Sequence, residues 1–579
     1  MGENSKYQVN FEELGAQISK LQFGANDSDS ESFKEDSIME KLLNPSKTNM
    51  DFLVSYYKEL FDKKGPQLIY TLDCNDTQIN KILDTLLTIS NHPEIMCSCK
   101  LLYNSTKVVT ENEENNQANS SNQTDRALYF LLRKIPQKIE NLIEQRISVI
   151  GNVDAGKSTT LGVLTKGALD NGRGSARKNI FRHKHEIESG RTSSIGSEMI
   201  GFDKDSSDPI YAENVRSLSW NDISSKASKV VIFHDLAGHE KYLKTTVLGL
   251  TIGQPETVML VVGANAGMVG MAKEHLGLTL ALQVPVFFVI TKVDMCPKNV
   301  LDDTLKSLFK LLKSQGIRKV PFQIRSMADV IASVEFSNPL KICPIFLVSN
   351  TTGQGLDFLR QYLNILPPST PHERDTQAFM EIKEIFSVPF VGSVVSGILD
   401  KGSIAVGDSF WIGPDQFGRY QTTSIKSIQY NRVNVPISYA GQSVSLCLKK
   451  IPRSSLRRGM VLLQKIENFV PKSYSVFEAD ILILYHTSTI SLKYQAVIHC
   501  RAIRQTARII HIYNKENLRS GDKAKVVLKF MSQPEFLTVG SRIIFREGKT
   551  KGIGKITKLY EPEQVPRLLE QLKQETPTR

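Results

Sequence analysis

Between residues 146 and 370, short apolar runs alternate with stretches in which apolar positions recur at helical spacing. The runs at 147–150, 230–233, 258–262, 284–290 and 345–348 are apolar on both alternating faces, the pattern of parallel strands covered from both sides. The stretches at 161–166, 272–283 and 301–313 have the spacing of crossover helices. This order predicts a doubly wound, mostly parallel α/β sheet, with its ligand crevice beyond the carboxyl ends of the strands.

The pattern changes on both sides of this region. Pro367, Pro368 and Pro371 mark a stiff connector. Beyond it, short alternating strands punctuated by glycines predict two β-barrels, at 371–468 and 469–566, followed by a tail at 567–579. Before it, residues 1–145 carry helix-like segments at 38–43, 52–61 and 79–87, and read as a small accessory domain whose sequence shows no chemistry. Residues 104–125 are rich in Asn, Ser, Glu and Thr and predict a flexible linker closing that domain; a shorter acidic patch at 27–32 reads the same way. A length of 579 residues suits this multidomain division.

Charge sharpens the picture. Residues 1–145 hold 15 Lys+Arg against 22 Asp+Glu, whereas the whole chain is +12. An acidic front on a strongly basic body predicts an anionic partner such as RNA. The most apolar stretch, 257–272, carries Asn265 and glycines, which argues against a membrane span, and the polar N-terminus does not read as a secretory signal. Seven cysteines without framework spacing fit a reducing, cytoplasmic setting.

The candidate chemistry starts at Gly151-Asn152-Val153-Asp154-Ala155-Gly156-Lys157-Ser158-Thr159, entered by a predicted strand and left by a predicted helix. In such a P-loop the backbone N–H groups wrap phosphate oxygens and the helix N-terminus adds its positive end. Lys157 is placed to reach the β- and γ-phosphates, and the Ser158 hydroxyl to bind Mg²⁺. Asp235, directly after a strand, can hold the Mg²⁺ through water. Gly238 can offer its N–H to a γ-phosphate, and His239 falls where an attacking water must sit. After the next strand but one, Thr291-Lys292-Val293-Asp294 supplies a carboxylate that accepts from N1–H and N2–H₂ of guanine, a donor pair adenine lacks. Lys292 can lay its stem over the base, while Ser349 and Asn350 can meet the guanine carbonyl through backbone N–H. In this order the four segments predict a GTPase.

The motifs GNVDAGKST (151–159), ESGRTSS (188–194), DLAGHEKYLKTT (235–246), TKVDMCP (291–297) and SNTTGQGL (349–356) resemble those of translational GTPases of the elongation factor Tu type, most closely the GTP-binding protein 1 and 2 family. The likeness continues through VPFVGSVVSGILDKGSIAVGD (388–408), AGQSVSLCLKKIPRSSLRRGMVL (440–462) and REGKTKGIGKI (546–556), and so covers about 146–560. It implies that Thr192 is the switch I threonine closing over Mg²⁺ and the γ-phosphate. It implies that Asp154 holds a monovalent cation such as K⁺, and that His239 orients water once the ribosome positions it. It also implies barrels that grip the acceptor arm of a tRNA and touch the ribosome, in elongation or in rescue of stalled ribosomes.

A GTP-switched adaptor linking RNA to decay or quality-control machinery is an alternative the resemblance permits. A signalling GTPase without RNA leaves the barrels and the basic body unexplained. Unaided hydrolysis is expected to be slow and ribosome-stimulated, since the sequence shows no ready arginine in cis.

Two departures stand out. Thr291 replaces the Asn of most GTPases, which predicts retained guanine choice with looser affinity. Residues 197–229, containing Trp220, form an insertion expected to add strands near switch I and to serve as packing. The basic stretch at 173–185 is read as a loop that reaches ribosomal RNA when ordered.

Overall fold

The computed structural model describes residues 38–75, 78–106, 125–178, 180–181, 183–189, 192–211, 220–335, 340–368, 373–467, 469–548 and 550–575. The acidic patch at 27–32 and most of the predicted linker, 107–124, lie outside the described residues.

The N-terminal region is a three-stranded antiparallel sheet of β1 (Gln67–Asn75), β2 (Cys97–Thr106) and β3 (Asp125–Lys134) in the order β1-β3-β2. Helices Lys47–Lys64 and Ile79–Ser90 bury Tyr57, Phe61, Ile82 and Leu86 against Phe130 and Leu132. Ser46 caps the first helix by accepting the Asn49 N–H. Residues 104–106 and 125 thus belong to paired strands, and the segment read as a domain-closing linker connects two strands of one sheet.

Arg133, at the end of β3, is fully buried between this sheet and its neighbour. Its guanidinium donates to the Asn364 carbonyl at 2.8 Å and to Gln67 Oε1 at 3.0 Å. Lys229 donates to the carbonyls of Leu363 and Asn364, both at 2.9 Å, and also to that of Leu366. Two cations therefore satisfy the orphan carbonyls at the C-terminal end of the helix Leu356–Ile365.

The central region is an eight-stranded sheet. β4 (Ile143–Gly151) lies at its middle, buried at every position. β5 (Gly196–Asp203), β6 (Pro209–Ile210) and β7 (Ala227–Asp235) lie to one side of it. β8 (Thr257–Gly263), β9 (Val286–Thr291), β10 (Val320–Gln323) and β11 (Ile342–Leu347) complete the sheet in the order β10-β11-β9-β8-β4-β7-β5-β6. All neighbours are parallel except β5, which runs antiparallel to β7 and to β6. Each predicted strand has its counterpart here; β10 was not read from the pattern.

The insertion adds β5 and β6 as expected, but also the helix Trp220–Lys226. The Arg432 guanidinium lies 5.2 Å from the Trp220 ring centre, and Lys100 pairs with Asp208 at 2.9 Å. The insertion thereby packs between the N-terminal sheet and the first barrel.

In that barrel Phe379–Glu381, Val461–Gln464, Ser409–Gly413, Gln421–Tyr430, Ser443–Leu448 and Gly392–Lys401 follow one another, and the last pairs back on the first. Its core runs on into Met199, Val230 and Ile232 of the central sheet as one apolar cluster. Beneath it, Arg146 is buried between Glu144 and Glu256, each at 3.0 Å, and donates to the Gly441 carbonyl.

The second barrel closes from Val476–Tyr485, Lys523–Phe530, Ile503–Ile512, Gln495–Cys500, Arg542–Glu547 and Thr550–Tyr560. The predicted tail begins inside a helix, Val565–Glu575, which lays Leu568 and Leu572 on Val476 and Tyr560.

Candidate nucleotide site

β4, β7 and β9 end on the same side of the sheet, so parallel strand geometry alone brings residues 151, 235 and 291 to one rim. Gly151 has φ +147°, and a side chain there would collide with the Val261 carbonyl of the adjacent strand. Gly156, at φ +91°, caps the helix Lys157–Lys166. Gly238 lies so close to Lys157 Nζ and to the Gly151 carbonyl that no Cβ could be accommodated.

Lys157 is buried, and its ammonium donates to the carbonyls of Asn152 at 2.8 Å and Gly151 at 3.3 Å. Burial lowers its pKa, against the pull of Asp235 and Asp154. Ser158 Oγ donates to Asp235 Oδ2 at 2.6 Å and lies 2.8 Å from Thr192 Oγ1, which is itself 3.2 Å from the same carboxylate oxygen. Burial holds the Asp235 carboxyl above the usual carboxylate range, with Ser158 and Lys157 acting against the rise, and among the described residues its Oδ1 has no hydrogen-bond partner. One buried carboxylate with an unpartnered oxygen and two hydroxyls beside a phosphate-sized cradle fit Mg²⁺, a cation that takes few carboxylates and keeps water and phosphate ligands.

The cleft over these groups is lined by Val153, Asp154, Gly156, Lys157, Ser158, Thr159, Arg177, Thr192, Gly238 and His239. His239 is half-buried, opens the short helix Glu240–Tyr242 and accepts the Lys241 N–H on Nδ1 at 3.1 Å.

At the far end of the rim, Thr291 Oγ1 donates to the Ala155 carbonyl at 2.6 Å. Lys292 takes a left-handed turn at φ +62°, leaving Asp294 exposed. Against a burial penalty, hydrogen bonds from Ser349 and Thr351 hold the Asp294 carboxyl below its ordinary range; the Thr351 hydroxyl is 2.9 Å away. Ser349 and Thr351 share a hydroxyl contact at 3.0 Å. The Ser349 N–H, expected to face a guanine carbonyl, is engaged by the Gln354 carbonyl at 3.0 Å. Asn350 donates from Nδ2 to Thr160 at 3.0 Å, which ties this turn to the P-loop helix.

Residues 144–369 match the Elongation factor Tu GTP binding domain. Human GTP-binding protein 2 is 39% identical over 527 residues, covering 89% of this chain and 85% of the human protein. Xenopus laevis GTP-binding protein 1 is 50% identical over 422 residues, 73% of this chain but only 64% of the Xenopus protein's length. The chain belongs to the GTP-binding protein 1 and 2 family of elongation-factor-Tu-like GTPases. In fold, this family member is similar to translation elongation factor SelB from Methanococcus maripaludis, solved with the GTP analogue GppNHp. The TM-score is 0.51 at 18% identity, over 73% of this chain and 81% of SelB.

All the residues singled out in sequence fall along this one rim, the P-loop, Thr192, Asp235, Gly238 and His239 around the cleft and Thr291, Lys292, Asp294, Ser349 and Asn350 beyond it. Three residues of this GTPase were not read as part of the site. His275, from the helix Met271–Leu282, accepts the Gly151 N–H at 3.3 Å, and burial pushes its imidazole down to about 3. Asp170 ties the segment after the P-loop helix to the Asn350 carbonyl at 2.9 Å. Arg177, read only as part of a basic stretch directed at RNA, lines the phosphate cleft. Nothing in the local sequence marks the first two; for Arg177 the signal was the basic run itself, which does not say that one of its members borders the cleft.

Proposed function

We propose that the chain binds GTP in this cleft together with Mg²⁺ and hydrolyses it to GDP and phosphate. Its GTP-bound form engages the ribosome and aminoacyl-tRNA, in elongation or in rescue of stalled ribosomes. The observation that carries the reading is the convergence of Ser158, Thr192 and Asp235 beside buried Lys157. Ser158, Thr192 and Asp235 lie within hydrogen-bond distance of one another, close enough to share one cation.

Lys157 and the amides of residues 151–159 hold the β- and γ-phosphates. Ser158 and Thr192, with Asp235 through water, would hold Mg²⁺, which supplies positive charge across the β- and γ-oxygens when bound. His239 orients the attacking water, and Gly238 leaves room for its own N–H to face the γ-phosphate. Asp154, exposed on the P-loop, is the group for a K⁺ ion. Asp294 reads guanine, Ser349 and Thr351 fix that carboxylate, Lys292 covers the ring, and Thr291 and Asn350 hold the base loops to the P-loop.

The second barrel makes this cleft a switch. The helix Leu243–Gly253, which follows His239, lies against its strand Gln495–Cys500. Glu274 pairs with Arg546 at 3.1 Å and Lys551 at 3.0 Å. A shift of the segment after Gly238 on hydrolysis therefore reorients the barrels and the basic surface they carry.

Filter binding of the GTP-loaded chain to aminoacylated and deacylated tRNA, run beside GTPase assays with purified ribosomes, tests the proposal. Preference for aminoacyl-tRNA with ribosome stimulation supports it. Stimulation without tRNA choice moves the role to an adaptor for RNA decay or quality control, and no GTP binding ends it.

A further inference from the structure

The phosphate cleft contains a second cation besides Lys157. Arg177 borders it with Ser158, Thr192, Gly238 and His239, and among the described residues no group pairs with its guanidinium. A solvated arginine on a mobile loop would need no framework, yet the backbone carrying this one is fixed at several points.

The buried Asp170 carboxylate accepts the N–H groups of Gly172 at 2.9 Å, Gly174 at 3.1 Å and Ala176 at 2.9 Å, and the Ser175 hydroxyl at 3.2 Å. Its own N–H is held by Asn350. The Ala176 carbonyl rests on Gly162 of the P-loop helix, where any Cβ would collide with it. Buried Ile180 anchors the other side, its N–H donating to the Arg177 carbonyl at 3.1 Å. Gly174 sits at φ +81°, and a side chain there would meet Arg177 Nε at 2.5 Å. Each of these contacts keeps the turn Ser175–Lys178 in place beside the P-loop and leaves the space that the guanidinium occupies.

We propose that Arg177 is a catalytic arginine supplied in cis, a role that rests on reading the cleft as a GTP site. In hydrolysis the water oxygen bonds to the γ-phosphorus while the bond to the β–γ bridging oxygen breaks. The electron pair leaves on GDP, and the water proton ends on the released phosphate. Negative charge on the bridging and γ-oxygens grows along that path, and a guanidinium held beside them stabilises it without reorganisation. The expectation of slow unaided turnover rested on no arginine being recognisable in the sequence, and single-turnover hydrolysis without ribosomes measures that turnover directly.

The test is single-turnover GTP hydrolysis by the full chain with Mg²⁺ and no ribosomes, comparing wild type, Arg177→Ala and Arg177→Lys. GDP affinity and formation of a GDP–aluminium fluoride complex are measured alongside. Arg177→Ala should slow hydrolysis by about 1,000-fold, the low end for an arginine of this kind. It should keep GDP affinity within about threefold and lose the aluminium fluoride complex, while Arg177→Lys recovers part of the rate. A rate for Arg177→Ala within about twofold of wild type overturns the proposal, as does a loss of GDP affinity equal to the loss of rate. If wild type itself binds no GTP, the reading of the cleft fails first, and that result is separate from either.

Discussion

The Thr291 hydroxyl donates to the Ala155 carbonyl at 2.6 Å, so the turn carrying Asp294 is tied to the P-loop. An asparagine amide at this position has two donors where Thr291 has one. The tie is therefore kept in reduced form, and the guanine choice proposed above is assigned to different atoms, those of Asp294 and its Thr351 partner.

Thr291→Ala should weaken GTP and GDP to the same degree while leaving the preference over ATP unchanged. An unpartnered buried carbonyl costs about 1–3 kcal/mol, or roughly 5- to 150-fold in affinity. Calorimetric titration with GDP and ATP measures both. A collapse of base preference in this variant would show that the two functions are not separable.

His239 borders the cleft, and its Nδ1 accepts the Lys241 N–H. His239→Ala should thus bind GTP normally and lose ribosome-stimulated hydrolysis, whereas Lys157→Ala should lose GTP binding altogether. Equal stimulated rates for wild type and His239→Ala would remove the histidine from the mechanism.

Lys383, under the first barrel, is buried, and among the described residues nothing hydrogen-bonds to its ammonium. Burial pushes it down to about 7; Arg146 and Arg501 act in the same direction, and Asp400 and Glu381 oppose it. The unfolded chain binds this proton up to its ordinary 10.5, and the folded chain releases it near 7. Stability should therefore rise with pH between those two values, and the burial penalty should be felt in full below the lower one. Lys383→Met should flatten that rise and stabilise the protein at pH 6, read as the difference between variant and wild type in urea unfolding across pH 6–10. Parallel pH profiles for the two proteins would refute this.

Arg133 joins the N-terminal sheet to the carbonyls of Asn364. Arg133→Met should cost about 1.5–3 kcal/mol, the usual value of a hydrogen bond to a charged group. It should also raise hydrogen exchange in β3 before the central sheet is affected. Unchanged exchange there would mean that the apolar contacts alone dock the N-terminal region.

The parts of this molecule legible in sequence are those encoded by neighbours along the chain. The P-loop needs its glycines, lysine and serine within eight positions, and strand periodicity then brings residues 151, 235 and 291 to one rim because parallel strands end together. Contacts between distant segments were not legible. Arg133 and Asn364 are 231 positions apart, and Asp170 meets Asn350 only because the P-loop helix and the last turn of the rim fold over one another. Arg177 shows the same limit: its charge was visible, but its place on the cleft was decided by Asp170, Gly162 and Ile180 packing its backbone there. Local pattern sets which elements form and which chemistry they carry. The direction of a long side chain is set by packing, because the free energy that fixes it comes from surfaces the chain brings together only on folding.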